Sequence, residues 1–177
     1  MEDRILTAAN SKEEKFLREK TKAFDFNAHS RKEISDLIGR MRRTMRVAHG
    51  IGLSANQIGL SCRVFVAEVP EKQGGNKFYA IFNPKLEKSG AGTVAFEEGC
   101  LSIPGTYGLV DREERVVLSG YDRNGKPLKI KAWGLLARVF QHEVDHLEGK
   151  LFIDRTKKIY TVPESDRLKR KREESSS

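Results

Sequence analysis

Only two cysteines, Cys62 and Cys100, occur in the 177 residues of this chain. Two are too few for a disulfide scaffold, and thiols left reduced suit a reducing compartment. With a third of the residues charged, no apolar run approaches the roughly 20 residues of a membrane-spanning helix. The first residues, Met1-Glu2-Asp3-Arg4, mix both charge signs and lack the basic start and apolar stretch of an export signal. Internal repeats and long linkers are absent too. These absences argue against a cystine-rich secreted domain, a helical membrane protein and a repeat array. The expectation is one soluble cytoplasmic domain, long enough to bury a proper core.

Against that background the segment Gln141-His142-Glu143-Val144-Asp145-His146 stands out, because it contains HExxH. On a helix the four-residue spacing puts His142 and His146 on one face, where two imidazoles share one metal ion with Glu143 beside it. The pattern alone also fits a helix ending on two ordinary histidines and a solvated glutamate. Flanking residues favour a buried helix: Leu135, Leu136, Val139, Phe140, Val144 and Leu147 recur at three-and-four spacing. Gly149 follows as a left-handed stop, and residues 151–153 are expected to resume as an extended run. Two buried imidazoles one turn apart are hard to satisfy by ordinary packing, whereas a divalent cation satisfies both.

A catalytic metal needs a third protein ligand. Downstream, Glu164 stands at the distance used by some HExxH peptidases, in a polar segment. Upstream, Glu97-Glu98-Gly99-Cys100-Leu101-Ser102 follows the strand-like residues 92–96, and a Cys100 thiolate would complete a His2Cys site with one position open for water. A lone cysteine is more often a small buried hydrophobe. A third stretch, Gly50-Ile51-Gly52-Leu53-Ser54-Ala55-Asn56-Gln57, lets backbone approach a ligand closely and supplies an amide donor at Gln57, although glycines serve a plain turn equally well.

Together, in this order, the three stretches resemble the signatures of the bacterial peptide deformylases: GxGLAAxQ, EGCLS and HExxH within QHExDHLxG. Residues 120–127 and 134–140 also look like the family, so the resemblance covers roughly residues 14–157. Ser54 departs from it, standing where the family pattern has alanine. A hydroxyl added to a tight turn is expected to bear on packing more than on activity.

The resemblance implies a metal-dependent hydrolase that removes the N-formyl group from the N-terminal methionine of new polypeptides and releases formate. It implies Cys100, His142 and His146 as metal ligands, Glu143 as general base, and the Gln57 side chain with the Leu101 backbone N–H as oxyanion donors. Ile51, Gly52, Gly99 and Val139 are the candidates for binding the substrate, with core packing and turn formation as their ordinary alternatives. By donor type the site suits zinc, iron, nickel or cobalt. The resemblance points to Fe(II) as the working ion, with zinc a frequent substitute, and a thiolate beside ferrous iron implies oxygen sensitivity.

Around these motifs the expected fold is α+β, with antiparallel sheets packed around a central HExxH helix. A short helix is expected from Ser11, paired with Glu14 at capping-box spacing, and a longer one from Ser30, paired with Glu33. Ile34, Leu37, Ile38, Met41 and Met45 form the buried face of the second, which Gly50 ends. Strands are expected at residues 63–69 and 77–82, joined at Gly74-Gly75, and at 115–121 and 128–133 around Asn124-Gly125. Cys62 reads as a packed or partly exposed thiol, and His29 and His49 as ordinary residues near helix ends.

Residues 1–162 then form the catalytic domain and 163–177 a basic tail. Part of the formal net charge of +8 gathers at Arg167, Lys169, Arg170, Lys171 and Arg172. Such a tail is either solvated or in contact with RNA or an acidic surface, and the resemblance suggests the ribosome. Two other classes compete with the deformylase reading. A zinc metallopeptidase requires its third ligand downstream, and a non-catalytic, metal-stabilised ribosome-binding module has no need of Glu143.

Overall fold

Nearly every residue from Val64 to Val69 is apolar, so as a strand this run needs cover on both faces. In the computed structural model, which describes residues 3–71, 74–88, 90 and 92–163, it receives both. Strand β2 (Val64–Pro70) lies in a five-stranded antiparallel sheet with β1 (Gly52–Ser54), β3 (Asn76–Lys88), β6 (Arg115–Tyr121) and β7 (Pro127–Trp133), in the order β1-β2-β3-β6-β7. Val64 and Val66 face helix α2 (Arg31–Val47), joining Ile34, Ile38, Met41, Met45, Leu53 and Phe82 in one core. Phe65, Ala67 and Val69 face the other way, joining Val116, Leu118 and Ala132 against Ala137, Val139, Phe140 and Leu147 of helix α3 (Gly134–Leu147).

A second antiparallel sheet, ordered β4-β5-β8, consists of β4 (Thr93–Cys100), β5 (Ile103–Glu113) and β8 (Ile159–Thr161). Arg138 of α3 donates to the carbonyls of Val94 and Val110 in that sheet. The HExxH helix therefore touches both sheets, as the expected α+β class requires, and α2 covers the face it leaves.

Local chemistry accounts for the helix ends. Ser30 and Glu33 form the expected capping box, each side chain accepting from the other's backbone N–H. The short helix α1 (Ser11–Leu17) is capped one residue earlier than expected, by Asn10, whose side chain accepts from the N–H groups of Lys12 and Glu13. At the end of α2 the left-handed residue is His49 (φ 57°), with Gly50 closing the turn through its N–H to the Met45 carbonyl. Gly149 does end α3, at φ 72°, and a Cβ there would lie 2.2 Å from the Arg18 carbonyl oxygen.

Other boundaries differ from expectation. Phe152–Asp154 is a 3-10 turn and not an extended run, because Asp154 reaches back to accept from the Leu151 N–H. Strands β1, β5 and β8 were not expected. The hairpin at Asn124-Gly125 is present, with only Gly125 left-handed and Asp122 Oδ1 accepting from the Asn124 and Lys126 N–H groups. Cys62 precedes β2, bridged to Lys22, and burial raises its thiol to about 11. His29 stacks on Phe24. Glu164 and the basic residues 167–172 lie outside the described residues.

Candidate active site

Side chains alternate along β1, and this decides what meets the HExxH helix. Leu53 packs in the α2 core, so Gly52 and Ser54 turn to the opposite layer, where α3 lies. There the rings of His142 and His146 stand one turn apart, 5.0 Å between centroids. Cys100, the last residue of β4, brings its sulfur to 3.1 Å from His146 Nε2. One ligand atom from each of the three residues lies within 4.8 Å of the other two.

His142 Nδ1 lies 3.0 Å from Glu98 Oε2. A carboxylate there fixes the tautomer and leaves Nε2 to ligate. Glu98 is held in turn: Oε1 accepts from Arg112 Nε at 2.8 Å and Arg138 Nη1 at 2.7 Å, and Oε2 from Arg112 Nη2 at 2.8 Å. The far side of the Arg112 guanidinium donates to Asp145, which also receives Arg155. Burial alone would raise the carboxyls of Glu98 and Asp145, but Arg112 and His142 at Glu98, and Arg155 and Arg112 at Asp145, outweigh it and hold both below the usual range.

Glu143 is only 3% exposed. Burial lifts its carboxyl above the ordinary value, against the opposing pull of His142, His146 and the Ser54 hydroxyl. An upward shift makes a carboxylate a better proton acceptor. Ser54 Oγ lies 2.7 Å from Glu143 Oε2, so the hydroxyl expected to bear on packing touches the candidate base. Gln57 is anchored by its own oxygen, which accepts from the Ser54 N–H at 2.8 Å; its amide nitrogen donates to Ser102 Oγ at 3.1 Å and lies 3.8 Å from the Cys100 sulfur. Leu101 follows Cys100, with its side chain over Gly50.

The fold thus gathers Cys100, His142, His146, Glu143 and Gln57, with Gly52 against Glu143. Ile51 is 44% exposed beside them. Gly99 lets the Tyr107 ring approach β4, and a Cβ there would meet that ring at 2.8 Å. Val139 sits in the core cluster. Reading the sequence missed the supports. Glu98 and Asp145 lie inside the motifs and were recognisable as acids in otherwise buried segments, whereas nothing local announced Arg112 or the reach of Ser54.

The sequence profile of the family described as Polypeptide deformylase matches residues 5–161. This chain belongs to that family. A peptide deformylase of a Picosynechococcus species is 43% identical over 142 residues, covering 80% of this chain and 74% of the relative. Among solved structures, a probable peptide deformylase from Synechococcus phage S-SSM7 is 38% identical with a TM-score of 0.77, covering 86% and 98% of the two chains. A Met-Ala-Ser-bound deformylase from Acinetobacter baumannii is 27% identical with a TM-score of 0.79, covering 88% and 99%.

The enzyme removes the N-formyl group from the N-terminal methionine of newly synthesised polypeptides, a metal-dependent hydrolysis that releases formate. The donor set fits a divalent cation: a thiolate and two imidazoles, one of them already oriented by a carboxylate. Burial would raise the Cys100 thiol, yet the neighbouring His146 and His142 bring it down to about 5. Burial would lower His142, yet Cys100 and Glu98 bring it up to about 10. Cys100 and His142 therefore shift each other and titrate as one coupled pair. Metal uptake is expected to displace protons held by this cluster, so that affinity rises with pH. Calorimetric titration in buffers of different ionisation heat checks this; uptake with no proton released would contradict it.

Proposed function

We propose that Cys100, His142 and His146 hold one divalent cation, with Fe(II) as the working ion and zinc, nickel or cobalt as substitutes. The observation that carries this reading is the buried Glu143 carboxylate adjoining a three-residue cluster whose donor atoms lie within 4.8 Å of one another. When bound, the cation supplies the Lewis acidity that brings a water's pKa down toward roughly 7. Glu143 takes the proton from the attacking water and delivers it to the departing nitrogen, since an amide nitrogen leaves poorly unless protonated. Gln57 Nε2 and the Leu101 backbone N–H donate to the oxygen of the formyl group as negative charge develops on it.

The substrate is the formylated N-terminus of a nascent chain. Gly52, in β1, and the preceding Ile51 offer an edge for an extended peptide, because among the described residues β1 pairs only with β2 in its sheet. Gly99 borders that path from β4, and Val139, three residues before His142 on α3, contributes to the apolar pocket for the methionine side chain. The Met-Ala-Ser peptide bound to the Acinetobacter relative is consistent with a peptide of this kind. Residues 1–162 form the catalytic domain, and the basic segment 163–177 touches the ribosome. The cytoplasm is the compartment, in keeping with two free cysteines and no helix among the described residues long and apolar enough to cross a membrane.

Protein purified without oxygen and reconstituted with Fe(II) is expected to release formate from a formyl-methionyl peptide and to leave an acetylated control intact. The Cys100→Ala variant is expected to lose tight metal binding. A variant that kept its metal would contradict the ligand set, and a zinc-loaded protein faster than the iron form would contradict the choice of ion.

A further inference from the structure

Glu143 is gripped from β1 at two points. Gly52 and Ser54 stand two residues apart on one face of that strand, and both meet the carboxylate. A Cβ on Gly52 would lie 2.2 Å from Glu143 Oε1, so that oxygen fills the space a side chain would take. Ser54, fully buried, brings Oγ to 2.7 Å from Oε2 and to 3.0 Å from the Glu143 backbone carbonyl. The hydroxyl has one proton to give. The shorter contact is to the group able to bear charge, which is the stronger acceptor. A glutamate side chain has three rotatable bonds, and a donor on one oxygen together with a wall against the other removes most of that freedom.

We propose that Ser54 is a positioning residue for the general base, holding Glu143 Oε2 so that Oε1 is the oxygen that exchanges the proton. Alanine, which the family pattern has at this position, offers no donor. Ser54 Oγ meets Glu143 at both its backbone and its side chain, and its effect passes through that residue. The proposal rests on Glu143 being the base.

The test compares four metal-loaded proteins on a formyl-methionyl peptide: the parent, Ser54→Ala, Glu143→Gln and the double variant. Because the substitution only trims a hydroxyl and the family pattern accommodates alanine, Ser54→Ala is expected to fold with parental metal content. Its kcat is expected to fall roughly tenfold, the loss of one hydrogen bond to a charged group, with KM changed by less than about twofold. In the Glu143→Gln background the same substitution is expected to cost nothing further, since the carboxylate it positions is gone. A Ser54→Ala kcat equal to the parent's overturns the proposal, as does an equal fold-loss in both backgrounds, which would mark a packing effect independent of the base. A Glu143→Gln variant as fast as the parent overturns the assignment of the base itself, and Ser54's role with it.

Discussion

Glu143→Gln is expected to lower kcat by roughly a hundred- to ten-thousandfold, the range over which a positioned proton-transfer group contributes. Metal content and KM should stay near those of the parent. Glutamine matches glutamate in shape, so the space against Gly52 remains filled, and its amide oxygen still accepts from Ser54. What is lost is the ability to take a proton. The nearby carboxylate of Glu98 does not substitute, because Arg112, Arg138 and His142 already engage both its oxygens. Formate release under saturating peptide, measured beside metal analysis of the same sample, decides the matter. A variant within tenfold of the parent would leave the enzyme without its proposed base.

The second large effect is on stability. Arg112, 3% exposed, joins Glu98 of β4 to Asp145 of α3 through one guanidinium, and thereby ties the smaller sheet to the metal helix. Arg112→Met keeps bulk but takes from Glu98 its main cation and from Asp145 one of its two, and breaking a buried ion pair in this way typically costs about 3 to 5 kcal/mol. For a domain of this size that is a fall of roughly 10 °C in Tm. Both carboxyls are held below their ordinary values, so their contribution is complete above those values and is lost only as pH falls toward the depressed ones. The gap between parent and variant should therefore be full at neutral pH and narrow on strong acidification. Metal affinity is expected to weaken about tenfold to a hundredfold as well, because Glu98 orients His142. Thermal melts at several pH values test the first claim; a variant melting within about 2 °C of the parent would contradict it.

These supports explain what reading the chain did and did not reveal. His142, Glu143 and His146 are close in sequence, and helical spacing alone announces their geometry. Cys100 was identifiable because its motif keeps acidic, glycine and cysteine residues together. Strand β5 was invisible because its inward positions include Gly105, Gly108 and Arg112, so the apolar alternation that signals a strand is missing. The same charge that hides the strand organises the site. Ser54 meets a carboxylate 89 residues away, a separation at which no local pattern operates. At α1, Asn10 and Ser11 are both good caps, and only the backbone geometry chooses between them.

Cys100 and His146 are separated by 46 positions in the chain yet sit side by side, one on the small sheet and one on the helix beneath it. A cation that joins them closes a long loop, in the manner of a removable cross-link. Because the unfolded chain has no such pocket, occupancy adds to folding free energy, by about 1.4 kcal/mol for each tenfold excess of free metal over its dissociation constant. The persistence of the fold is then coupled to metal supply: a cell short of the ion would hold an enzyme that is at once idle and easier to unfold and degrade.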